Sequence, residues 1–176
     1  MIVRPPSSGQ SWIVFFCSGS PSEHGCYRSA DAAIAYLQQE ASATLDQVAL
    51  MGWSLGSAVA MDLASRQEVR AQILLSPLTS LFAAALDLAY LGQTAFSAGP
   101  FNALSRAKSV DCPTLIVSGS NDRLTRPWMA NESTKAMGGR ARQVNLSGVG
   151  HNDMLGSGTR LWDVVTDFMT ASPATG

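Results

Sequence analysis

In "VALMGWSLGSAVAMDLASR", residues 48–66, a serine stands between two glycines where an apolar run gives way to a helical pattern. Gly52-Trp53-Ser54-Leu55-Gly56 matches G-x-S-x-G, and its setting after a strand and before a helix is the one that motif requires. A tight strand-to-helix turn lifts the serine hydroxyl above the sheet, and glycines flank it because side chains there would collide. The backbone N–H of Leu55, at the head of the helix, then points to where an oxyanion would form.

A hydroxyl is a weak nucleophile and needs a base held by a third group. The chain offers 2 histidines. His24 precedes the serine, whereas His151 follows a strand in "GVGHNDM" and fits the chain order serine, acid, histidine. The acid belongs at the end of the strand before, and "TLIVSGSNDRLTRP" supplies Asp122 there. Asp111 precedes that strand and falls at the wrong end of the sheet. Asp153 is better suited to the N-terminus of the last helix, where the helix dipole favours a negative charge. The expected roles are Ser54 as nucleophile, His151 as base and Asp122 as orienting acid. Gly52, Trp53 and Gly56 shape the elbow.

The elements that must position these residues alternate along the chain. Trp12–Phe16, Gln47–Gly52, Ala71–Ser76, Thr114–Gly119 and Arg142–Gly148 read as strands, continuously apolar as in a parallel sheet covered on both faces. Helices are expected at about 22–42, 55–66, 78–91, 127–138 and 152–171, with Pro127 opening the fourth and Gly138-Gly139 closing it. This alternation predicts an α/β fold, a mostly parallel sheet flanked by helices, with active groups at the carboxyl ends of the strands. Residues 1–10 read as a flexible extension, 11–171 as the domain and 172–176 as a frayed tail. Within the domain, 76–111 reads as a lid-like insertion whose Leu78, Leu81, Phe82, Leu86, Leu88, Tyr90, Phe96 and Phe101 could cover an acyl group.

Composition narrows the partners. At 176 residues, 46% hydrophobic and 14% charged, the chain is long and apolar enough to bury a core. A net charge of −1 leaves no electrostatic footprint for nucleic acid. No basic patch marks a membrane surface, and the apolar run Leu81–Leu91 is too short to span a bilayer. The N-terminus makes a poor signal peptide. Cys17, Cys26 and Cys112 have no metal-ligand spacing, and their odd count argues against a disulfide framework. A cytoplasmic protein in reducing surroundings is expected, with no metal or cofactor.

"SGSPSEHGCYRSADAAIAYL", "GWSLGSAVAMDLASR", "LLSPLTSL", "CPTLIVSGSNDRL" and "GVGHNDM" together resemble the small α/β-hydrolases of the serine-hydrolase superfamily, the α/β-hydrolase-domain depalmitoylases in particular. The resemblance runs from about Ser18 to about Met169. It implies hydrolysis of an ester or thioester through an acyl-enzyme, with a small-molecule or protein-linked (palmitoyl) acyl group as substrate. Relatives carry further strands upstream, one ending in a loop that supplies a second oxyanion donor. This chain is expected to be an α/β-hydrolase fold lacking the first strands, with about five left. If Trp12–Phe16 lies directly beside the nucleophile strand, backbone N–H groups of the Cys17–Ser20 turn, Ser18 and Gly19 among them, would supply that donor. If it lies one strand away, the site is half built. Two other readings stay open: a weakened hydrolase fold serving as a binding module, and a serine peptidase of the same superfamily.

Overall fold

The computed structural model describes residues 2–3, 11–14, 22–40, 42–89, 99–156 and 160–171. Ile2–Val3 (β1), Ser11–Val14 (β2), Val48–Trp53 (β3), Ala71–Leu75 (β4), Thr114–Gly119 (β5) and Ala141–Leu146 (β6) form one sheet in the order β1-β2-β3-β4-β5-β6. From β2 to β6 every pairing is parallel. The five expected strands are therefore present, and a sixth joins them. β1 runs antiparallel to β2, with Ile2 opposite Ile13 and Val3 opposite Trp12. Two β-branched residues there pair with backbone that would otherwise stand as an open edge.

Among the described residues the α-helices are Glu23–Glu40 (α1), Leu55–Ala64 (α2), Leu81–Leu88 (α3), Ala103–Arg106 (α4), Pro127–Met137 (α5) and Leu161–Ala171 (α6). Strands laid down one after another across a sheet, joined by crossovers of one hand, put their connecting helices on one face. Accordingly Leu37 of α1, Val59 of α2, Ala103 of α4 and Met129 of α5 share a core with Leu50, Leu74 and Ile116. On the opposite face Leu161, Val165 and Phe168 of α6 pack on Met51, Ile73 and Val117. Covered from both sides, β4 and β5 are buried along their whole lengths.

Two expectations are corrected. The last helix begins at Leu161, not near Asn152, and His151 and the residues up to Gly156 form turns. Asp153 therefore does not cap that helix; its Oδ2 accepts from the Gly150 N–H at 3.3 Å. Cys26, expected to be reduced, is disulfide-bonded. Cys112 is free and buried, and burial pushes its thiol up to about 11, which leaves it a poor nucleophile at neutral pH.

Among the described residues, the insertion at 76–111 only partly resembles an apolar lid. Leu78 and Phe101 are buried, while Leu81, Phe82 and Leu88 of α3 are 43%, 46% and 53% exposed. Tyr90 and Phe96 lie outside the described residues. What α3 turns inward is Ala83 and Asp87. The Asp87 carboxylate meets Arg126 Nε at 3.2 Å and accepts from Trp128 Nε1 at 3.3 Å, which ties α3 to the start of α5.

A second buried carboxylate steadies the helix behind the serine. Asp62 of α2 takes Arg66 Nη2 at 2.7 Å and Arg106 Nε at 2.6 Å, and Arg66 also reaches Asp31 of α1 at 2.9 Å. Three helices are thus pinned to one another at α2.

Candidate active site

Ser54 closes β3 and heads α2 with φ 54° and ψ −121°, a left-handed backbone that an L-residue adopts only under constraint. The constraint is visible. The Ser54 N–H donates to the Leu75 carbonyl at 2.9 Å, and its own carbonyl accepts from the Ser57 N–H at 2.9 Å and the Ser57 hydroxyl at 2.6 Å. Gly52 is required by the same corner. A Cβ there would strike the Gly56 carbonyl oxygen and stand 2.7 Å from Ser57 Cα, both backbone atoms. Leu55 is the first residue of α2, so its N–H belongs to the helix turn whose donors have no acceptor within the helix.

Asp122 and His151 come together because the loops after β5 and β6 are laced to each other. Ser120 N–H donates to the Leu146 carbonyl at 3.0 Å and Asn121 N–H to the Val149 carbonyl at 3.0 Å. The Gly148 N–H donates to Ser120 Oγ at 2.8 Å, and Asn121 Nδ2 donates to the Gly148 carbonyl at 3.2 Å. Gly119 permits the approach, since a Cβ on it would strike the Val149 carbonyl.

His151 Nδ1 then lies 2.9 Å from Asp122 Oδ2. The carboxylate is saturated with donors. Its Oδ1 accepts from the N–H groups of Leu124 and Thr125, each at 2.9 Å, and its Oδ2 accepts from the Thr125 hydroxyl at 3.0 Å as well. Burial alone would raise the Asp122 pKa. The bonds from His151 and the Thr125 backbone outweigh it and hold the carboxyl below its ordinary value. Asp122 is therefore an anion at neutral pH, and it fixes the proton of His151 on Nδ1. Nε2 is left with its lone pair.

Trp53, expected only to shape the elbow, has a second part. Its ring lies 5.4 Å from the His151 imidazole, centroid to centroid, tilted by 31°. The residue next to the nucleophile thus braces the base, and the contact ties the elbow to the His151 loop. Thr125 was not singled out by the sequence, although a hydroxyl residue three positions after the acid is a signal that could have been weighed. His24 lies on α1 and is exposed.

β2 lies directly beside β3, Ser11 opposite Val48 through Val14 opposite Met51, the placement that the completed oxyanion hole needs. Ser18 and Gly19, the expected second donors, lie outside the described residues.

A glycine-walled serine elbow after a central parallel strand, with acid and histidine on later loops, defines the α/β-hydrolase class. The chain belongs to the serine hydrolase family, whose model matches residues 27–171. An uncharacterized protein of Mycobacterium tuberculosis is 31% identical over 160 residues, 90% of this chain and 57% of its own length. Alpha/beta hydrolase domain-containing protein 17C of Xenopus tropicalis is 30% identical over 138 residues, 78% of this chain and 43% of its own. The chain thus spans roughly half the length of these relatives. Among solved structures, the Pyrococcus furiosus esterase Pf2001 aligns with a TM-score of 0.70 at 17% identity, covering 86% of this chain and 64% of that one. At that identity the likeness speaks for the fold alone.

Proposed function

We propose that the protein is a serine esterase or thioesterase that works through an acyl-enzyme on an apolar acyl group. The observation that carries this reading is the His151 Nδ1–Asp122 Oδ2 bond of 2.9 Å, which leaves Nε2 as a free base in a loop braced against the serine elbow. In this mechanism Ser54 Oγ attacks the acyl carbon while His151 Nε2 takes its proton. Asp122 keeps the imidazole oriented and balances the imidazolium that forms. The Leu55 N–H stabilises the oxyanion, and the proton then passes from His151 to the leaving alcohol or thiol. Water, deprotonated by the same nitrogen, releases the acid.

The acyl preference rests on the apolar residues that α3 presents, Leu81, Phe82 and Leu88, and on the resemblance to depalmitoylases. Within this reading, S-acylated protein is the finer substrate. No helix among the described residues is long and apolar enough to cross a membrane.

A fluorophosphonate probe tests the reading without knowledge of the substrate, because it reacts only with an activated serine. Wild type should be labelled, and Ser54→Ala should fold and remain unlabelled. A folded wild type that takes no label overturns the enzyme reading in favour of a binding module. Rates across p-nitrophenyl esters and matched thioesters of rising chain length then set the acyl preference.

A further inference from the structure

Thr125 is 4% exposed and stands three residues beyond the acid. Its N–H lies 2.9 Å from Asp122 Oδ1, and its hydroxyl lies 3.0 Å from Oδ2. The same hydroxyl is 3.2 Å from His151 Nδ1. One residue thus touches both carboxylate oxygens and the nitrogen that the carboxylate holds.

The protons in this triangle can be assigned by elimination. A threonine hydroxyl has one proton to give and lone pairs that accept. If it donates to Asp122 Oδ2, it can also accept from Nδ1–H, and every group has a partner. If it donates to Nδ1 instead, that nitrogen carries no proton. Oδ2 then loses both donors and faces a lone pair at 2.9 Å. A buried anion left so is costly. The triangle closes only with the imidazole proton on Nδ1.

We propose that Thr125 is a positioning residue whose hydroxyl locks the Asp122 carboxylate and the His151 ring in the arrangement that leaves Nε2 as the base. The inference rests on the triad reading above. The hydroxyl acts through its two neighbours and touches no reacting atom. As His151 gains its second proton during the reaction, the Nδ1–H can be shared between Asp122 and Thr125, so the ring need not turn.

Two substitutions separate a role for the hydroxyl from a role for the shape of the side chain. Thr125→Val keeps the branched volume and removes the hydroxyl, whereas Thr125→Ser keeps the hydroxyl and removes a methyl. With p-nitrophenyl acetate, T125V should lower kcat about tenfold to a hundredfold, the range for a lost hydrogen bond to a charged group. KM should stay within about twofold, because substrate binding is not involved. T125S should stay within about threefold of wild type in kcat. A packing role gives the opposite order, with Ser worse than Val, and either that order or equal losses overturns the proposal. If T125V fails to fold by circular dichroism, T125A against T125S makes the same comparison, with the loss expected only in T125A. Ser54→Ala and His151→Ala run alongside. If these two retain activity, the triad reading itself fails. If they are inactive while T125V matches wild type, only the role of Thr125 is lost.

Discussion

Replacing Asp122 by asparagine should cost about 10⁴ in kcat, and the structure says why an isosteric change would do so much. The Asp122 side chain receives four donors: two backbone N–H groups on Oδ1, and the Thr125 hydroxyl and His151 Nδ1–H on Oδ2. Asparagine has one acceptor oxygen and one NH2 group, so half of the site must face a donor. The backbone N–H groups of Leu124 and Thr125 cannot become acceptors. Turning the NH2 toward them would leave two buried donors unmatched, at about 1–3 kcal/mol each. The amide oxygen therefore takes the Oδ1 place, and the NH2 faces His151. The imidazole answers by moving its proton to Nε2, where it can no longer accept from Ser54. A triad with the wrong tautomer loses about 10⁴ in rate, equivalent to about 5.5 kcal/mol in the barrier. Steady-state ester hydrolysis gives the rate, and nitrogen-15 chemical shifts of His151 give the tautomer. A folded Asp122→Asn variant that keeps more than a tenth of the activity, or that still shows Nδ1–H, would refute this reasoning.

Gly52→Ala should lower the urea midpoint by the equivalent of about 1–3 kcal/mol and abolish fluorophosphonate labelling, because the new methyl meets backbone of α2 that cannot step aside. Asp62→Ala should cost about 2 kcal/mol in equilibrium unfolding; this is less than a fully buried pair because Arg66 and Arg106 keep part of their hydration. Acid should remove the contribution of Asp122. Its folded pKa is lowered, so its stabilisation is complete above the unfolded-chain value of about 3.9 and fades as pH falls through the folded one. The urea midpoint of Asp122→Asn should accordingly fall less than that of wild type through that acid window.

The catalytic candidates were legible because each carries a local signal. Gly52 and Gly56 announce a corner, and Asp122 and His151 each follow an apolar run at the end the corner selects. The sequence sets the start of α6 too early because Leu155 falls on approximate helical spacing with Leu161, Trp162, Val165 and Phe168, although it packs from a turn. Apolar periodicity records which residues face the core and not which backbone carries them there. Thr125 and the Asp87–Arg126 pair were not read for another reason. Thr125 meets His151, and Asp87 meets Arg126, only once separate segments fold together; the one local signal, a hydroxyl three residues after Asp122, is weak by itself. The sixth strand was missed because two residues, Ile2 and Val3, are too few to show a period.

The inverted face of α3 has a thermodynamic consequence. A helix whose fully buried residues are Ala83 and Asp87, with Ala84 half-buried against the core, is retained more by directional polar bonds than by apolar area. Water can replace an ion pair and an indole hydrogen bond when the helix lifts away, whereas it cannot replace lost apolar burial. Detachment of α3 should therefore expose little new surface and depend weakly on denaturant. Its amides would then exchange with solvent through a small local opening, well below the free energy of global unfolding, while those of β4 and β5 wait for the whole sheet to come apart. Arg126, which holds Asp87, adjoins Thr125 in the chain. Helix α3 is thus fastened one residue from the side chain that bonds both Asp122 oxygens and His151.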